Sequence, residues 1–185
     1  MLSKVLRDGE SKMDAVVNAT KTAFTGIRTG RANPSLLDRV TVSYYGTDTP
    51  LNQLANISSP EARLLLIQPW DKTVIKDIEK AIQLSGLGLV PNNDGSVIRI
   101  AIPQLTEERR KELAKVVKKE AEDHRVGVRN VRRELNDTIK KMEKNSDISE
   151  DESRSGLEDV QELTNQYIAE VDQLAIAKEK EIMEI

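Results

Sequence analysis

Four arginines on one predicted helix are the residues of this chain best suited to binding chemistry. They are Arg125, Arg129, Arg132 and Arg133. Their spacing places the side chains together on one side of a helix. A guanidinium is planar, always charged and matched to phosphate oxygens, so a row repeated at each turn can follow a nucleic-acid backbone. Glu122, Glu134 and the acidic final segment could neutralise the same charges, so the pattern alone supports RNA binding and intramolecular pairing equally.

No arrangement typical of an enzyme accompanies these arginines. The single histidine, His124, falls on an apolar helical stripe, where a packed or rim position is expected, and it has no cysteine or second histidine with which to hold zinc. The absence of cysteine excludes a disulfide framework and a thiolate nucleophile. The chain has no Gly-rich phosphate loop and no nucleophile elbow. We therefore predict a protein that is not an enzyme and uses no metal and no cofactor.

Charge is distributed unevenly along the chain. Residues 105–144 carry 13 basic and 9 acidic side chains, whereas residues 145–185 carry 3 basic and 12 acidic ones. One late helix is therefore basic and the next is acidic. No apolar run approaches the length of about 18 residues that a membrane span needs, and the N-terminus does not resemble a targeting peptide. The expected location is the cytoplasm, with no membrane partner.

Three long helices are expected to carry most of these charges. Apolar residues recur at intervals of three and four from the N-terminus to about Arg28. A second helix, capped by Thr106, extends to Lys144 and would be about 58 Å long. Ser149–Glu152 has the form of a capping box that starts a final helix. Helices of this length need partners along their whole extent, which predicts a long antiparallel three-helix bundle.

A strand-rich segment separates the first two long helices. The expected strands are 39–45, 55–58, 63–68 and 96–102, with a turn at 46–50 and a loop at 91–95. In the first of these strands Val40, Val42 and Tyr44 alternate with polar residues, which is typical of a half-buried strand. Asp71 caps a helix that ends near Gly86. The segment therefore predicts a small β/α/β domain inserted into the bundle, and the fold class is α+β.

Two chain crossings join the predicted domains. The bundle domain comprises 1–29 and 106–185, and the inserted domain comprises 30–105, with a hinge at 29–34 and 102–106. Gly30 can end the first helix, and Pro34 biases the preceding residue away from helical conformation. The hinge residues are Gly30, Arg31, Ala32, Pro103, Gln104 and Leu105.

Four blocks of sequence resemble the ribosome recycling factor family. They are Arg28–Asp38, Tyr44–Leu51, Leu105–Lys111 and Arg125–Arg133. Their order and spacing match along the whole chain. Two departures stand out, because His124 and Gly127 occupy positions where small helix-forming residues such as alanine are expected. Gly127 costs about 1 kcal/mol in a helix interior, and neither departure removes an arginine.

The resemblance implies an L-shaped monomer, similar in outline to a transfer RNA. Such a protein enters the ribosome after peptide release and, with elongation factor G and GTP hydrolysed by that partner, promotes release of mRNA and tRNA and separation of the subunits. Its bundle is expected to contact large-subunit ribosomal RNA through Arg132 and Arg129. The further residues expected there are Arg133, Arg125, Arg28, Arg31 and Arg110. Arg31 could instead brace the hinge, and Arg110 could be an ordinary exposed charge.

Two other classes of protein compete with this interpretation. A helical adaptor or chaperone would bind protein partners with little dependence on salt or on Arg132. A hydrolase with an unrecognised carboxylate site would lose turnover on one Asp or Glu substitution. Neither class accounts for the four matched blocks.

Overall fold

The computed structural model describes residues 1–184, which form two compact units. The first unit comprises Met1–Arg28 and the chain from Thr106 onward, and the second comprises Thr29–Leu105. The helices are α1 (Leu2–Thr25), α2 (Ile75–Gln83), α3 (Glu107–Lys144) and α4 (Glu150–Met183). The strands are β1 (Thr41–Tyr44), β2 (Thr47–Pro50), β3 (Ala55–Glu61), β4 (Leu64–Pro69), β5 (Pro91–Asn93) and β6 (Ile98–Ala101). Within the described residues, no helix is both long and apolar enough to cross a membrane.

The first unit is a bundle of the three long helices α1, α3 and α4. Its core consists of apolar side chains from all three helices, at intervals of three or four residues. They include Met13, Val17, Phe24, Val117, Ala121, Val128, Ile139, Val160, Val171 and Ile182. Each Val, Ile, Met or Phe side chain among them contributes about 1.5–3 kcal/mol when it is fully removed from water. The α+β fold with a long helical bundle is therefore confirmed.

The starts of α3 and α4 lie where their caps were predicted. Thr106 Oγ1 accepts a hydrogen bond of 3.1 Å from the Arg109 amide. Ser149 and Glu152 form a complete capping box, with bonds of 3.0 and 2.9 Å that satisfy two amide groups of the first turn. These side chains fix where α3 and α4 begin.

The end of α1 differs from the prediction. The helix stops at Thr25 rather than Arg28, and the amides of Gly26 and Ile27 close its last turn on carbonyls of that turn. Gly30 therefore does not end the helix. It adopts a φ of +77°, a conformation that favours glycine, within the segment that follows.

The second unit contains a four-stranded antiparallel sheet and a separate two-stranded hairpin. The sheet has the order β3-β4-β6-β5, and the hairpin joins β1 to β2. The predicted turn at 46–50 is mostly strand β2, because the turn itself occupies only Tyr45 and Gly46, both with positive φ. The predicted loop at 91–95 likewise begins with β5, which pairs with β6.

The core of the second unit lies between its strands and α2. The buried residues include Val40, Val42, Leu65, Ile67, Ile78, Ile82, Ile98 and Ile100. Asp71 caps a short 3-10 turn, Lys72–Val74, that leads into α2, and its Oδ1 accepts a hydrogen bond of 2.9 Å from the Thr73 amide. The Tyr44 hydroxyl donates to the other carboxylate oxygen at 3.3 Å, which ties the hairpin to the start of the helix.

Both ends of the second unit are attached to one turn. The Ala32 amide donates to the Ala62 carbonyl and the Ile102 amide donates to the Arg63 carbonyl, each at 2.8 Å. Residues 62 and 63 form the connection between β3 and β4. Gly30, before Ala32, and Leu105, after Ile102, also lie close together, because a Cβ on Gly30 would be 3.0 Å from Leu105 Cγ. The first and last residues of this unit are therefore close neighbours.

Candidate nucleic-acid interface

A stripe of basic residues runs along one side of α3. It comprises Lys111, Lys115, Lys118, Arg125, Arg129, Arg132 and Lys140. Successive stripe positions are three or four residues apart, a period that stays on one helical face, and only Glu122 and Asn136 interrupt the basic series. From Lys111 to Lys140 the stripe extends about 44 Å along the helix. The lysines were not predicted from the sequence, although the spacing that identified the arginines continues through them.

Arg125 is held within the bundle by two carboxylates. Its Nε donates to Asp172 Oδ1 on α4 at 2.6 Å, and its Nη1 donates to Glu122 Oε2 at 3.0 Å. The hydrogen bond to Asp172 is the main cause that raises the pKa of Arg125, and the bond to Glu122 adds to it, against the opposing effect of burial. This arginine therefore braces α3 against α4, and the expectation of neutralisation by the acidic helix holds for it.

Arg129 shares the same carboxylate but remains more available. Its Nη1 donates to Glu122 Oε1 at 3.0 Å, so Glu122 receives one guanidinium on each oxygen. Hydrogen bonds from Arg125 and then Arg129 are the largest causes that lower the pKa of Glu122. A guanidinium has five N–H donors, and this bond engages one of those of Arg129. The others remain available for phosphate.

Arg132 has no partner among the described residues. The side chain is half-buried, yet its guanidinium makes no hydrogen bond or ion pair there. Its neighbour Arg133 is exposed and donates to Asn130 Oδ1 at 3.3 Å. Arg132 is thus the arginine of the series that carries an uncompensated charge on the stripe.

Asn136, one turn beyond Arg132, was not predicted as a site residue. Its Oδ1 is buried and lacks a hydrogen-bond partner in the described chain. A donor group and an acceptor therefore both lack partners on adjacent turns of one helix face. RNA phosphate oxygens can accept hydrogen bonds from the Arg132 guanidinium, whereas the Asn136 oxygen is enclosed by the bundle. The signal in the sequence was a polar residue four positions after an arginine of the series.

The remaining predicted arginines, Arg28, Arg31 and Arg110, lie off the stripe, as Arg133 does. Arg110 is in the first turns of α3, three residues before buried Leu113, and its Nε is enclosed with no partner among the described residues. Arg110 is therefore half-buried rather than fully exposed. Arg28 is exposed after the end of α1, and Arg31 is exposed in the second unit.

The two departures from the family pattern have structural explanations. His124 is half-buried at the rim of the bundle, with Nδ1 2.6 Å from the Glu120 carbonyl oxygen. Gly127 lies under α1, because a Cβ at this position would be 3.3 Å from Val16 Cγ1. Within residues 1–184 there is no group of three or more His, Asp or Glu side chains that could hold a metal ion.

The bundle, the inserted unit and the basic stripe define the class of the molecule. It is a helical-bundle protein with a small inserted α/β unit, and one long helix presents a surface suited to nucleic acid. Comparison with known proteins makes the class more specific, because the family model for ribosome recycling factor matches residues 20–183. The chain belongs to the ribosome recycling factor family.

Relatives match over the full length of the chain. The ribosome-recycling factors of Geobacillus sp. (strain WCH70) and Bacillus subtilis (strain 168) are 60% and 59% identical, each over 100% of both chains. A solution structure of a ribosome recycling factor has a TM-score of 0.79 at 44% identity and covers 100% of this chain and 98% of its own. These matches confirm the resemblance seen in the four sequence blocks.

A second solved structure includes other components of translation. It concerns the T. thermophilus ribosome recycling factor and E. coli elongation factor G bound to the E. coli post-termination complex. The TM-score is 0.67 and the identity 44%, with 100% of both chains covered.

Proposed function

We propose that this protein binds post-termination ribosomes and, with elongation factor G and GTP, promotes release of mRNA and tRNA and separation of the subunits. Family membership supports the proposal, as does the relative bound to a post-termination complex. The protein acts in the cytoplasm as a binding factor rather than an enzyme, and the GTP is hydrolysed by its partner. It makes and breaks no covalent bond.

Arg132 is proposed as the principal contact with large-subunit ribosomal RNA. The single observation that carries this assignment is that Arg132, on a basic stripe, has no partner among the described residues. Arg129 is the second contact, because most of its donors remain available, and Arg133 flanks them both. Arg125 is assigned mainly to holding the helix, since two carboxylates bind it. Lesser contributions are assigned to Arg28, Arg31 and Arg110.

The two compact units are proposed to act as domains joined by a hinge, with 1–29 and 106–185 on one side and 30–105 on the other. Phosphate contacts fix the orientation of the bundle on RNA without reading sequence. The inserted domain is then free to swing about the segments 29–34 and 102–106. A push from elongation factor G on that domain becomes a force on the contacts between ribosomal subunits.

The deciding experiment compares Arg132→Ala with Arg109→Ala. Both remove one arginine from α3, but Arg109 lies off the stripe and pairs with Glu112 at 2.8 Å. We expect Arg132→Ala to weaken ribosome binding about tenfold and to lower the slope of log affinity against log salt by about 1, because one phosphate contact is lost. Arg109→Ala should change neither. Binding is measured at several salt concentrations, alongside subunit splitting with elongation factor G and GTP.

Each part of the proposal fails on a different result. A native protein that splits no ribosomes would refute the recycling function. Native activity with equal effects of the two substitutions would refute only the role of Arg132. Binding without any salt dependence would instead favour the adaptor class.

A further inference from the structure

Strand β1 has an edge that nothing in the described chain covers. The strand pairs only with β2. The Leu51 amide donates to the Val40 carbonyl at 3.0 Å, which identifies these two as a hydrogen-bonded pair. Since such pairs alternate along an antiparallel ladder, Thr41 and Ser43 direct their N–H and C=O groups away from β2. These backbone groups make no hydrogen bond within residues 1–184.

The free edge opens into a groove of about 680 Å³ within the second unit. One side of the groove is β1, including Thr41 and Ser43, and the opposite side is α2 with its C-terminal cap. On the helix side Lys80, Ala81 and Leu84 line the groove, and Leu84 is 74% exposed. Four residues of β1 extend about 13 Å, so the groove has room for three or four residues of extended chain.

The charges of the groove favour a polypeptide over a nucleic acid. The lining contains two cations, Arg39 and Lys80, and two anions, Asp48 and Asp77. None of the four forms an ion pair in the described part of the chain. A polyanion would be attracted by the two cations and repelled by the two anions. A polypeptide segment with charges of both signs can meet all four.

The backbone groups at the edge restrict the partner further. Thr41 and Ser43 present donors and acceptors that alternate along an extended strand, and only another extended polypeptide backbone offers the complementary series. Exposed strand edges are the usual place for such strand addition. The apolar surface of Ala81 and Leu84 lies across the groove, where a side chain of the added strand would pack.

We propose that the groove between β1 and α2 is a docking site for an extended segment of a protein partner. The segment pairs with β1 as a third strand of the hairpin sheet and carries an apolar residue flanked by charges of both signs. This inference rests on the proposed function, because that function requires a protein partner, and it assigns the surface at which the second unit meets it.

The first test compares Leu84→Asp with Val90→Asp in ribosome splitting with elongation factor G and GTP. Both positions are 74% exposed and lie in the same unit, but only Leu84 lines the groove. We expect Leu84→Asp to slow splitting about tenfold, as loss of a buried anchor does at protein interfaces. Ribosome binding without elongation factor G should stay unchanged, and Val90→Asp should split at the native rate.

The second test measures hydrogen exchange at the β1 amides of the native protein. Exchange is compared for the free protein and for its complex with post-termination ribosomes and elongation factor G bound to a non-hydrolysable GTP analogue. Strand addition should slow exchange at Thr41 and Ser43 at least tenfold. Val42 is the internal reference, because it already pairs with Thr49 of β2.

The outcomes separate this inference from the function on which it rests. If the native protein splits ribosomes and the two Asp variants behave alike, the groove is not the docking surface, whereas the proposed function stands. If Leu84→Asp is impaired but exchange at Thr41 and Ser43 is unchanged, strand addition is refuted. If the native protein splits nothing, both proposals fail together.

Discussion

Glu122 is the one acidic side chain within the basic stripe, and it determines how the arginines differ. Its two oxygens bind Arg125 and Arg129, while Arg132 is left without an acceptor in the described chain. A carboxylate at this position lowers the positive potential of the stripe and occupies one donor of each bound guanidinium. Glu122 therefore limits the affinity of the basic stripe for phosphate.

Replacing Glu122 with glutamine should strengthen ribosome binding. The substitution removes one negative charge beside the phosphate-binding arginines, so we expect affinity to rise a few-fold and the salt slope to steepen by about one. Binding is measured over a range of salt concentrations. Glu134→Gln is the matched control, because Glu134 pairs with Lys12 at 2.7 Å and lies off the stripe. Weaker binding by Glu122→Gln would show instead that the carboxylate orients the arginines productively.

At the scale of single residues, the sequence predicted the arginine series but not the state of each member. Spacing places Arg125, Arg129 and Arg132 on one side of a helix, because that depends only on helical geometry. Which guanidinium is neutralised depends on Asp172, which is 47 positions from Arg125 along the chain. The unpartnered oxygen of Asn136 depends in the same way on its packing. Such contacts follow from tertiary structure and have no local signal.

At the scale of elements, the close packing of α1 on α3 depends on small residues. A Cβ on Gly9 would lie 2.9 Å from Leu135 Cγ and closer still to both methyl groups of that buried side chain. Gly127 performs the same role from the other helix, where Val16 packs over it. The helical propensity lost at each glycine is offset by contact between the helices.

Substituting Gly9 with alanine should destabilise the bundle. The added methyl group must displace Leu135 from a packed core, so we expect the free energy of unfolding to fall by about 1–3 kcal/mol. Urea denaturation followed by circular dichroism measures the change. Gly26→Ala is the control, since Gly26 has a φ of −72° and its Cβ would meet only ordinary contacts. An unchanged unfolding midpoint for Gly9→Ala would mean that Leu135 can rotate away without loss.

Elements with strong local signals were predicted well, and elements that depend on pairing were not. Thr106 and the Ser149–Glu152 capping box gave the starts of α3 and α4, because side-chain caps act on the next three residues. By contrast, β2 and β5 are short polar strands that contain Pro50 and Pro91. Proline usually marks turns or strand edges, so these strands form only because a neighbouring strand supplies their hydrogen bonds.

At the scale of the whole molecule, the two connecting segments determine where a hinge can lie. Because α1 ends at Thr25, the first connection is longer than the sequence indicated. Ala32 and Ile102 are fixed to the β3–β4 turn. The proposed hinge motion therefore has to take place in the residues outside those two anchors.

Substituting Gly30 with alanine should impair recycling more than ribosome binding. The residue has a φ of +77°, and its Cβ would lie 3.0 Å from Leu105 Cγ, so the change restricts the first connection and crowds the second. We expect subunit splitting to slow several-fold with little change in affinity. Gly86→Ala has the same backbone strain, at a φ of +76°, but meets no atom within 4 Å. Equal loss of splitting and binding, or equal effects of the two variants, would contradict the hinge.

The meeting of the two ends of the second unit also bears on its evolutionary origin. Gly30 and Leu105 are neighbours, and the adjoining segments are bonded to consecutive residues of one turn. A segment whose ends emerge at one point can be inserted into a loop, lost or exchanged without altering the helices on either side. Without residues 29–105, the remaining chain is the three-helix bundle of α1, α3 and α4. The same junctions are where chimaeras between relatives should be joined.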